Sequence, residues 1–395
     1  MSAEFLPGNN ITLLENGTAY FPALREAIEA AKHEIYIESY IYEDDATGRM
    51  ITSALIRAAA RGLIVRVMVD GFGAREFRHT LMPALKAAGV ETLIYRQQNS
   101  FLKALIRFRR HRLRRLHRKI AVIDGRIAFV GGINIIDDIS PNTPDNLEPR
   151  HDYAVRIEGP LLAHIHDSVR HLWDMVAWAS VRRYRRINKK PLKNFPVPGH
   201  CGGMRAAFLI RDNLRHRGEI EDAYLAAIKS ARQEIVIANA YFLPGLRFRR
   251  ALIEAAQRGV KVTILLQGRV EYFLLHFASQ ALYGALLSSS INIHEYRRSF
   301  LHAKVAVIDG EWATVGSSNI DPFSLLLARE ANVVVLDKEF AAKLRESLHR
   351  AMTEGGVELR HDDWKQKPWV SRITRWLAYS CVRVLIGIAG YTGKH

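Results

Sequence analysis

The 395-residue sequence has few cysteines, few acidic residues relative to basic ones, and no long apolar run. Two cysteines, Cys201 and Cys381, cannot build a disulfide framework and favour a reducing compartment. No run reaches the roughly 20 apolar residues that cross a bilayer. The stretch Met1–Glu15 lacks the basic and apolar regions of a signal peptide. The sequence therefore predicts a soluble or peripheral protein rather than an integral membrane protein.

The charge balance is strongly basic. Lys and Arg number 57 against 40 Asp and Glu, which gives a formal net charge of +17. This surplus predicts a polyanionic partner, either nucleic acid or an anionic membrane surface. The chain is also long enough for two domains, because single cores rarely grow beyond about 250–300 residues.

Segments of the first half recur in the second half in the same order. Residues 54–71 match 251–268 at 9 of 18 positions, and residues 117–135 match 302–320 at 12 of 19 positions. Each half alternates helical segments with apolar strands such as Glu34–Tyr42 and Ile64–Val69, which predicts an α/β fold made of two duplicated domains. The predicted division is a first domain at 1–181, a basic linker at 182–200, a second domain at 201–363 and a tail at 364–395.

The most conspicuous repeat is a polar motif that reads H-x-K-x(4)-D-G and then G-x-x-N. Alternate side chains of a strand share a face, so each His is expected to point the same way as its Lys. The Asp-Gly pair between apolar runs predicts a tight hairpin, with Asp as a turn-forming residue and Asn returning beside the His and Lys. The two motifs comprise His117, Lys119, Asp124 and Asn134, and His302, Lys304, Asp309 and Asn319.

This set of side chains suits phosphodiester chemistry. Two ammonium groups and amide donors can neutralise an anionic phosphate. A neutral imidazole can attack phosphorus, while a protonated one gives a proton to the leaving alkoxide. Each imidazole needs a carboxylate on its other ring nitrogen, and Asp152 and Glu330, each opening an apolar strand after a motif, are the candidates. A lone His-x-Lys is typical of a protein surface, but two copies with identical spacing indicate one site shared by both halves.

The double motif resembles that of the phospholipase D superfamily, and the chain is similar to bacterial cardiolipin synthases of the shorter type without N-terminal transmembrane helices. The similarity spans roughly residues 10–350 and includes Asp152–Pro160, Ala238–Gly245 and Ala313–Leu325. It implies two phospholipase D-like domains, each a mixed sheet flanked by helices, related by pseudo-two-fold symmetry around one active site. The sequence departs from the family at Gly132, where many motifs have Ser, and at Ala328, where Asn is frequent.

The resemblance also implies a mechanism. One phosphatidylglycerol gives its phosphatidyl group to a histidine and releases glycerol, and a second phosphatidylglycerol then attacks the adduct to form cardiolipin. By analogy, no metal or cofactor takes part. The implied roles are nucleophile for His117, acid and base for His302, phosphate binding for Lys119, Lys304, Asn134, Asn319 and Ser317, orientation of the imidazoles for Asp152 and Glu330, and motif support for Asp124 and Asp309.

Two basic and apolar segments favour a lipid partner over nucleic acid. Residues 101–119 carry nine Lys or Arg and no acid, and they lead directly to His117. The stretch Trp369–Tyr391 has aromatic and apolar residues at helical spacing with cations around them, which predicts a helix in the membrane interface. Packing of this helix on the protein body is the alternative. We expect an anionic membrane as partner, at the cytoplasmic face of a bacterial inner membrane, and no nucleic acid; the oligomeric state stays open.

Three functions remain open at this stage. The first is a cardiolipin synthase, or a phosphatidyltransferase with another alcohol acceptor. The second is a nuclease-type phosphodiesterase, which would have little use for the C-terminal helix. The third is an inactive lipid-binding scaffold, against which the intact His, Lys and Asn pairs argue. Other features give weaker functional evidence. His164, His166 and His171 lack the Cys or carboxylate partners of a metal site, and Asp70–Gly73 is expected at the rim of the active site. Tyr241 and Phe242 either line an acyl groove or pack in the core.

Overall fold

The computed structural model describes residues 4–96, 115–139, 148–179, 198–212, 216–321, 324, 328–366 and 368–388. Most of the basic segment 101–119 and of the linker 182–200 lies outside these residues. Within the described residues, sixteen strands form one sheet. The first eight are β1 (Leu6–Glu15), β2 (Glu34–Ser39), β3 (Ile64–Asp70), β4 (Glu91–Tyr95), β5 (Arg115–Leu116), β6 (Ile120–Ile123), β7 (Ile127–Gly131) and β8 (Tyr153–Glu158). The second eight are β9 (Met204–Arg211), β10 (Glu234–Asn239), β11 (Lys261–Gln267), β12 (Asn292–Tyr296), β13 (Lys304–Ile308), β14 (Trp312–Gly316), β15 (Ala328–Leu336) and β16 (Gly356–Glu358).

The order of the strands shows the duplication directly. From the centre outwards, the first half runs β1, β8, β7, β6, β2, β3, β4, and the second half runs β9, β15, β14, β13, β10, β11, β12. In each half three neighbouring strands are parallel, β2 with β3 and β4, and β10 with β11 and β12. The remaining neighbours along this path are antiparallel. The two halves join where β1 pairs with β9, so the predicted pair of duplicated domains shares a single mixed sheet.

Helices cover both faces of this sheet. In the first half they are α1 (Asn16–Ala30), α2 (Ala46–Ala60), α3 (Leu81–Ala87) and α4 (Leu161–Ala179). In the second half they are α5 (Glu219–Ser230), α6 (Leu246–Gln257), α7 (Phe273–Gln280), α8 (Tyr283–Leu287), α9 (Lys338–Gly355), α10 (His361–Lys365) and α11 (Trp369–Ile388). This architecture confirms the α/β fold with two duplicated domains predicted from the sequence.

One core spans both halves, and each half has a core of its own. The shared core lies between the sheet and the helices α4 and α9, with Trp173 and Leu344 almost fully buried in it. The apolar faces of α1, α2 and α3 close the other face of the first half. The helices α5, α6 and α8 do the same for the second half. The shared core and the continuous sheet hold the two motifs in one rigid frame. The domain boundaries proposed from the sequence remain predictions.

Some elements differ in length from their sequence-based predictions. The strand predicted at Glu34–Tyr42 ends at Ser39. It ends there because the backbone N–H of Ile41 donates to Asn134 Oδ1 at 3.1 Å rather than to a neighbouring strand. The chain is thereby pulled towards the first motif, and Tyr42 forms an isolated bridge with Ile135.

Candidate active site

Each motif is anchored by its Asp at a tight turn. Asp124 and Gly125 both have positive φ, at 52° and 60°, as a two-residue hairpin turn of mirror-image type requires. The Asp124 carboxylate accepts hydrogen bonds from the backbone N–H groups of residues 32–34, each at 2.8 Å. Asp309 accepts from residues 232–234 at 2.8, 2.8 and 3.0 Å. Both carboxylates therefore tie the hairpin to the segment before β2 or β10.

The histidines lie just before the strands rather than on them, so their expected placement on a strand is wrong. Strand β6 begins at Ile120 and β13 at Lys304. The links before them are fixed by the opposite half: His117 N–H donates to the carbonyl of Arg329 at 3.0 Å, and His302 N–H donates to the carbonyl of His151 at 2.8 Å. Contact with the other half thus sets the position of each imidazole.

The carboxylate of each half contacts the histidine of the other half. His302 Nδ1 lies 2.6 Å from Asp152 Oδ2, and His117 Nδ1 lies 3.0 Å from Glu330 Oε1. Each histidine is therefore held by the carboxylate that follows the other motif in sequence. All four side chains are largely buried, and the carboxylates fix Nδ1, so Nε2 is the nitrogen left for chemistry.

Ser317 and Gly132 hold the same position in the two motifs but act differently. The Ser317 hydroxyl donates to Glu330 Oε2 at 2.5 Å and accepts from the backbone N–H of Ala331 at 3.0 Å. The hydroxyl therefore holds Glu330, and its expected role in phosphate binding stays a prediction. At Gly132 an added Cβ would lie 2.3 Å from Asp152 Oδ1, so the glycine leaves the space that Asp152 occupies.

Two buried lysines complete the cluster. The Nζ atom of Lys119 donates to the carbonyl of His117 at 2.7 Å, and Lys304 makes the same contact with the carbonyl of His302. Burial lowers the pKa of Lys119 to about 7 and that of Lys304 to about 8. Burial also lowers the pKa of His117, and burial together with the charge of Lys304 lowers the pKa of His302 well below its ordinary range. Both imidazoles are therefore neutral in the empty site.

The two motif asparagines are both buried but have different partners. Asn134 uses Oδ1 to accept from Ile41 and so helps to shape the chain after β2. Asn319 is 4% exposed, and its Oδ1 has no hydrogen-bond partner among the described residues. An amide oxygen accepts hydrogen bonds, so only the Nδ2 group of Asn319 could donate to a phosphate. Phosphate binding by the two asparagines stays a prediction.

Several residues near the histidines were missed or undervalued in the sequence. The Tyr40 ring lies 4.9 Å from the His117 ring, and Lys119 Nζ lies 5.4 Å from the Tyr40 ring centre. Asp70 is fully buried and accepts from the backbone N–H of Leu116 at 2.8 Å, which positions the segment just before His117. Only Asp70 gave a signal, because it ends a predicted strand; Tyr40 has Ala240 as its counterpart, so the repeat did not reveal it.

The remaining candidates fall outside the cluster. His166 is buried and lies 2.6 Å from Glu34 Oε1, whereas His164 and His171 are exposed on α4. Phe242 is buried in the core of the second half, and the Tyr241 hydroxyl donates to Glu271. Tyr241 and Phe242 both line a small pocket beside Tyr272 and Tyr283, and a role in an acyl groove stays a prediction.

Helix α11 has one packed face and one exposed face. Ala378 and Val382 pack against α7, whereas Trp369 is 70% exposed, Trp376 is 64% exposed and Leu377 is 55% exposed. The helix therefore packs on the protein body and also presents an exposed apolar face, and its contact with a membrane stays a prediction. Among the described residues, no helix combines the length and apolar character needed to cross a membrane.

Two facing His–Lys pairs in duplicated α/β domains define a phospholipase D-like site. The chain matches the family model described as cardiolipin synthase, PLD-like domain, over residues 24–173 and 224–352. It is 37% identical to cardiolipin synthase B of Escherichia coli K12, over all of this chain and 93% of that protein. It is 31% identical to cardiolipin synthase A of Proteus mirabilis, over 94% of this chain and 75% of that protein. The protein belongs to the cardiolipin synthase family of phospholipase D-like enzymes.

The fold is also that of a solved relative of different sequence. The crystal structure of phosphatidylserine synthase from Haemophilus influenzae superposes with a TM-score of 0.72, over 98% of this chain and 97% of that one, at 14% identity. At this identity the likeness shows the shared fold alone.

Proposed function

We propose that the protein joins two phosphatidylglycerol molecules into cardiolipin and releases glycerol, by way of a phosphatidyl-histidine adduct. The main support is that each histidine is held by the carboxylate of the other half, beside two buried lysines. This arrangement places two oriented imidazoles and two cations for phosphate binding in one site. The names of the relatives support the choice of substrate.

In the proposed reaction His117 Nε2 attacks phosphorus and the bond to the glycerol headgroup breaks. His302, as imidazolium, gives its proton to the departing glycerol oxygen. The bound phosphodiester brings a negative charge that favours this imidazolium, and Asp152 at 2.6 Å stabilises it. Burial lowers the pKa of His117 even though the Glu330 carboxylate beside it acts in the opposite direction. His117 thereby stays neutral, as a nucleophile must.

In the second step His302 accepts a proton from the terminal hydroxyl of another phosphatidylglycerol. The resulting oxygen attacks phosphorus, the bond to His117 breaks, and cardiolipin leaves. Lys119 and Lys304 neutralise the equatorial oxygens in both steps, and Asn319 donates its amide to one of them. The carboxylates Asp152 and Glu330 hold the imidazoles, and Asp124 and Asp309 hold the hairpins.

The enzyme is proposed to work as a peripheral protein on an anionic membrane, at the cytoplasmic face of a bacterial inner membrane. The exposed apolar face of α11 would enter the interface, and the net charge of +17 would draw the protein to anionic headgroups. The basic segment 101–119, mostly outside the described residues, would add to this attraction.

The test is incubation of the full chain with vesicles of phosphatidylglycerol labelled in its headgroup. We expect free labelled glycerol and a four-chain lipid in equal amounts. His117→Ala should give neither product, whereas His164→Ala, which removes an exposed histidine of α4, should behave like the parent. Phosphatidic acid as sole product would identify a hydrolase, and preferential transfer to added ethanolamine or another alcohol would identify a different acceptor.

A further inference from the structure

We propose that a cavity beneath helix α11 binds one anionic phospholipid by its phosphate, at a site separate from the two histidines. The cavity measures about 850 Å³, and its walls come from α8, α10, α11 and the end of α7. None of the residues in its walls belongs to the His–Lys cluster. Its size lies in the range of small-molecule sites.

The strongest sign of an anionic ligand is Arg375 on the cavity wall. It is 4% exposed, and its guanidinium stacks on Trp364 at 4.3 Å. Its Nε donates to the carbonyl of Ser371 at 2.9 Å, but Nη1 has no hydrogen-bond partner within the described residues. A buried cation is costly unless an anion balances it. A phosphate in the cavity that Arg375 lines would supply that balance.

Other groups in the wall favour the same ligand. Arg372 lines the cavity one turn before Arg375, and neither forms an ion pair with a carboxylate in the described parts of the chain. Ser288 Oγ and His361 Nε2 lie 3.0 Å apart, and both residues line the same cavity, where they offer further polar contacts. Two guanidinium groups match the geometry of a phosphate diester.

The apolar side chains at the cavity show why the anion should be a lipid. Ile373 and Trp376 line the cavity and are 46% and 64% exposed. They continue into the exposed face that contains Trp369 and Leu377. A phosphate seated on the arginines could therefore extend its acyl chains along this face. Inorganic phosphate would leave these apolar side chains in water, so the expected ligand is a phospholipid.

This site would fasten α11 to the membrane through a specific headgroup contact in addition to general interfacial attraction. It shares with the proposed function only the membrane contact of α11, and it does not depend on phosphatidyl transfer. The two proposals can therefore fail separately.

The test is a calorimetric titration of the full chain carrying His117→Ala, which cannot consume lipid. The probe is dihexanoyl phosphatidylglycerol below the concentration at which it forms micelles. Arg372→Gln should lower the number of lipids bound per chain by one, or weaken one binding step by about 10-fold to 100-fold. The matched control is Arg383→Gln, which removes an exposed cation of the same helix that does not line the cavity. This control should bind like the parent.

Arg375→Lys gives a second variant, which keeps the charge and loses the planar fork. Lipid binding should weaken in Arg375→Lys as it does in Arg372→Gln. Thermal unfolding of Arg372→Gln and Arg375→Lys verifies that both are folded. The proposal is overturned if Arg372→Gln and Arg375→Lys, both folded, bind lipid like Arg383→Gln. It is also overturned if inorganic phosphate binds this site as tightly as the short-chain lipid, since the site would then recognise a free anion. Dihexanoyl phosphatidylcholine should bind more weakly, because its headgroup carries no net charge.

Discussion

The two halves of the active site do the same work with different side chains. His117 is held by Glu330, and Glu330 is held by the Ser317 hydroxyl. His302 is held by Asp152, whose shorter side chain fills the space left by Gly132. Glu330 has the longer side chain and is kept in place by the Ser317 hydroxyl. Asp152 has the shorter side chain and needs the space that Gly132 leaves beside it. A duplicated site can therefore diverge in pairs of residues and keep its geometry.

The surroundings of the two histidines also differ. Tyr40 packs against His117, but the corresponding position in the second half is Ala240. Burial lowers the pKa of both imidazoles and the lysine charges lower it further, but at His117 the Glu330 carboxylate opposes this shift. The two imidazoles therefore lie in different environments.

Replacement of either histidine should have the largest effect on activity. His117→Ala and His302→Ala should each reduce turnover by about 10⁴-fold or more, because the proposed reaction uses one as the nucleophile and the other as the proton donor. The two variants should differ when the lipid carries a good leaving group that needs no proton. His302→Ala should then accumulate a phosphorylated protein detectable by mass spectrometry, and His117→Ala should not. The opposite pattern would exchange the two roles.

Removal of a carboxylate should follow the crossed pairing. Asp152→Asn should impair His302, and Glu330→Gln should impair His117, each by about 10²-fold or more in kcat. With the activated substrate that needs no proton, Asp152→Asn should recover most of its rate in the first step, whereas Glu330→Gln should stay slow. Recovery in Glu330→Gln instead would mean that each carboxylate serves the histidine of its own half.

The lysines predict a loss of activity at alkaline pH. Because burial lowers the pKa of Lys119 to about 7 and of Lys304 to about 8, both give up their protons as the pH rises through these values. The free enzyme then loses the two cations that are proposed to bind phosphate, so kcat/KM should fall above about pH 7–8. Bound phosphodiester favours the charged lysines, so the decline of kcat should lie at higher pH. A kcat/KM that stays constant up to pH 10 would contradict this assignment.

The pair Ser317 and Gly132 allows a finer test of the same comparison. Ser317→Ala removes the hydroxyl that holds Glu330 and should cost about 10-fold in kcat, since one hydrogen bond to a charged group is lost. Gly132→Ser should be harmful by itself, because its Cβ would meet the Asp152 carboxylate at 2.3 Å. The double change Gly132→Ser with Asp152→Glu copies the second half and should restore part of the activity. No recovery in the double variant would show that the two halves are not interchangeable in this respect.

The sequence predicted the features that depend on local pattern. The Asp-Gly hairpins follow from turn chemistry at Asp124 and Asp309, and the duplicated α/β halves follow from matching segments. The crossing of the carboxylates could not be predicted, because nothing near Asp152 in sequence specifies a partner 150 residues away. It results from the joining of the two halves through β1 and β9 into one sheet.

The same limit explains the other differences. His117 and His302 leave the strands because their backbone N–H groups bond to the opposite half, which a strand pattern cannot show. Arg375 looked like one of several cations beside the apolar face of the C-terminal helix, yet it is buried against Trp364. Helical spacing predicts which residues share a face, but the surface that receives that face is set by distant segments such as α7 and α10.

The smallest effects on chemistry are expected at the two turns. Asp124→Asn and Asp309→Asn each weaken hydrogen bonds to three backbone N–H groups, and each should lower the free energy of unfolding by about 1–3 kcal/mol. Asp124 is only 7% exposed, whereas Asp309 is partly accessible to water, so the loss should be larger at Asp124. Urea unfolding measures the stability, and kcat per folded molecule should stay near that of the parent. A folded but wholly inactive Asp124→Asn protein would mean that this carboxylate takes part in the reaction and does more than hold its hairpin to the segment before β2.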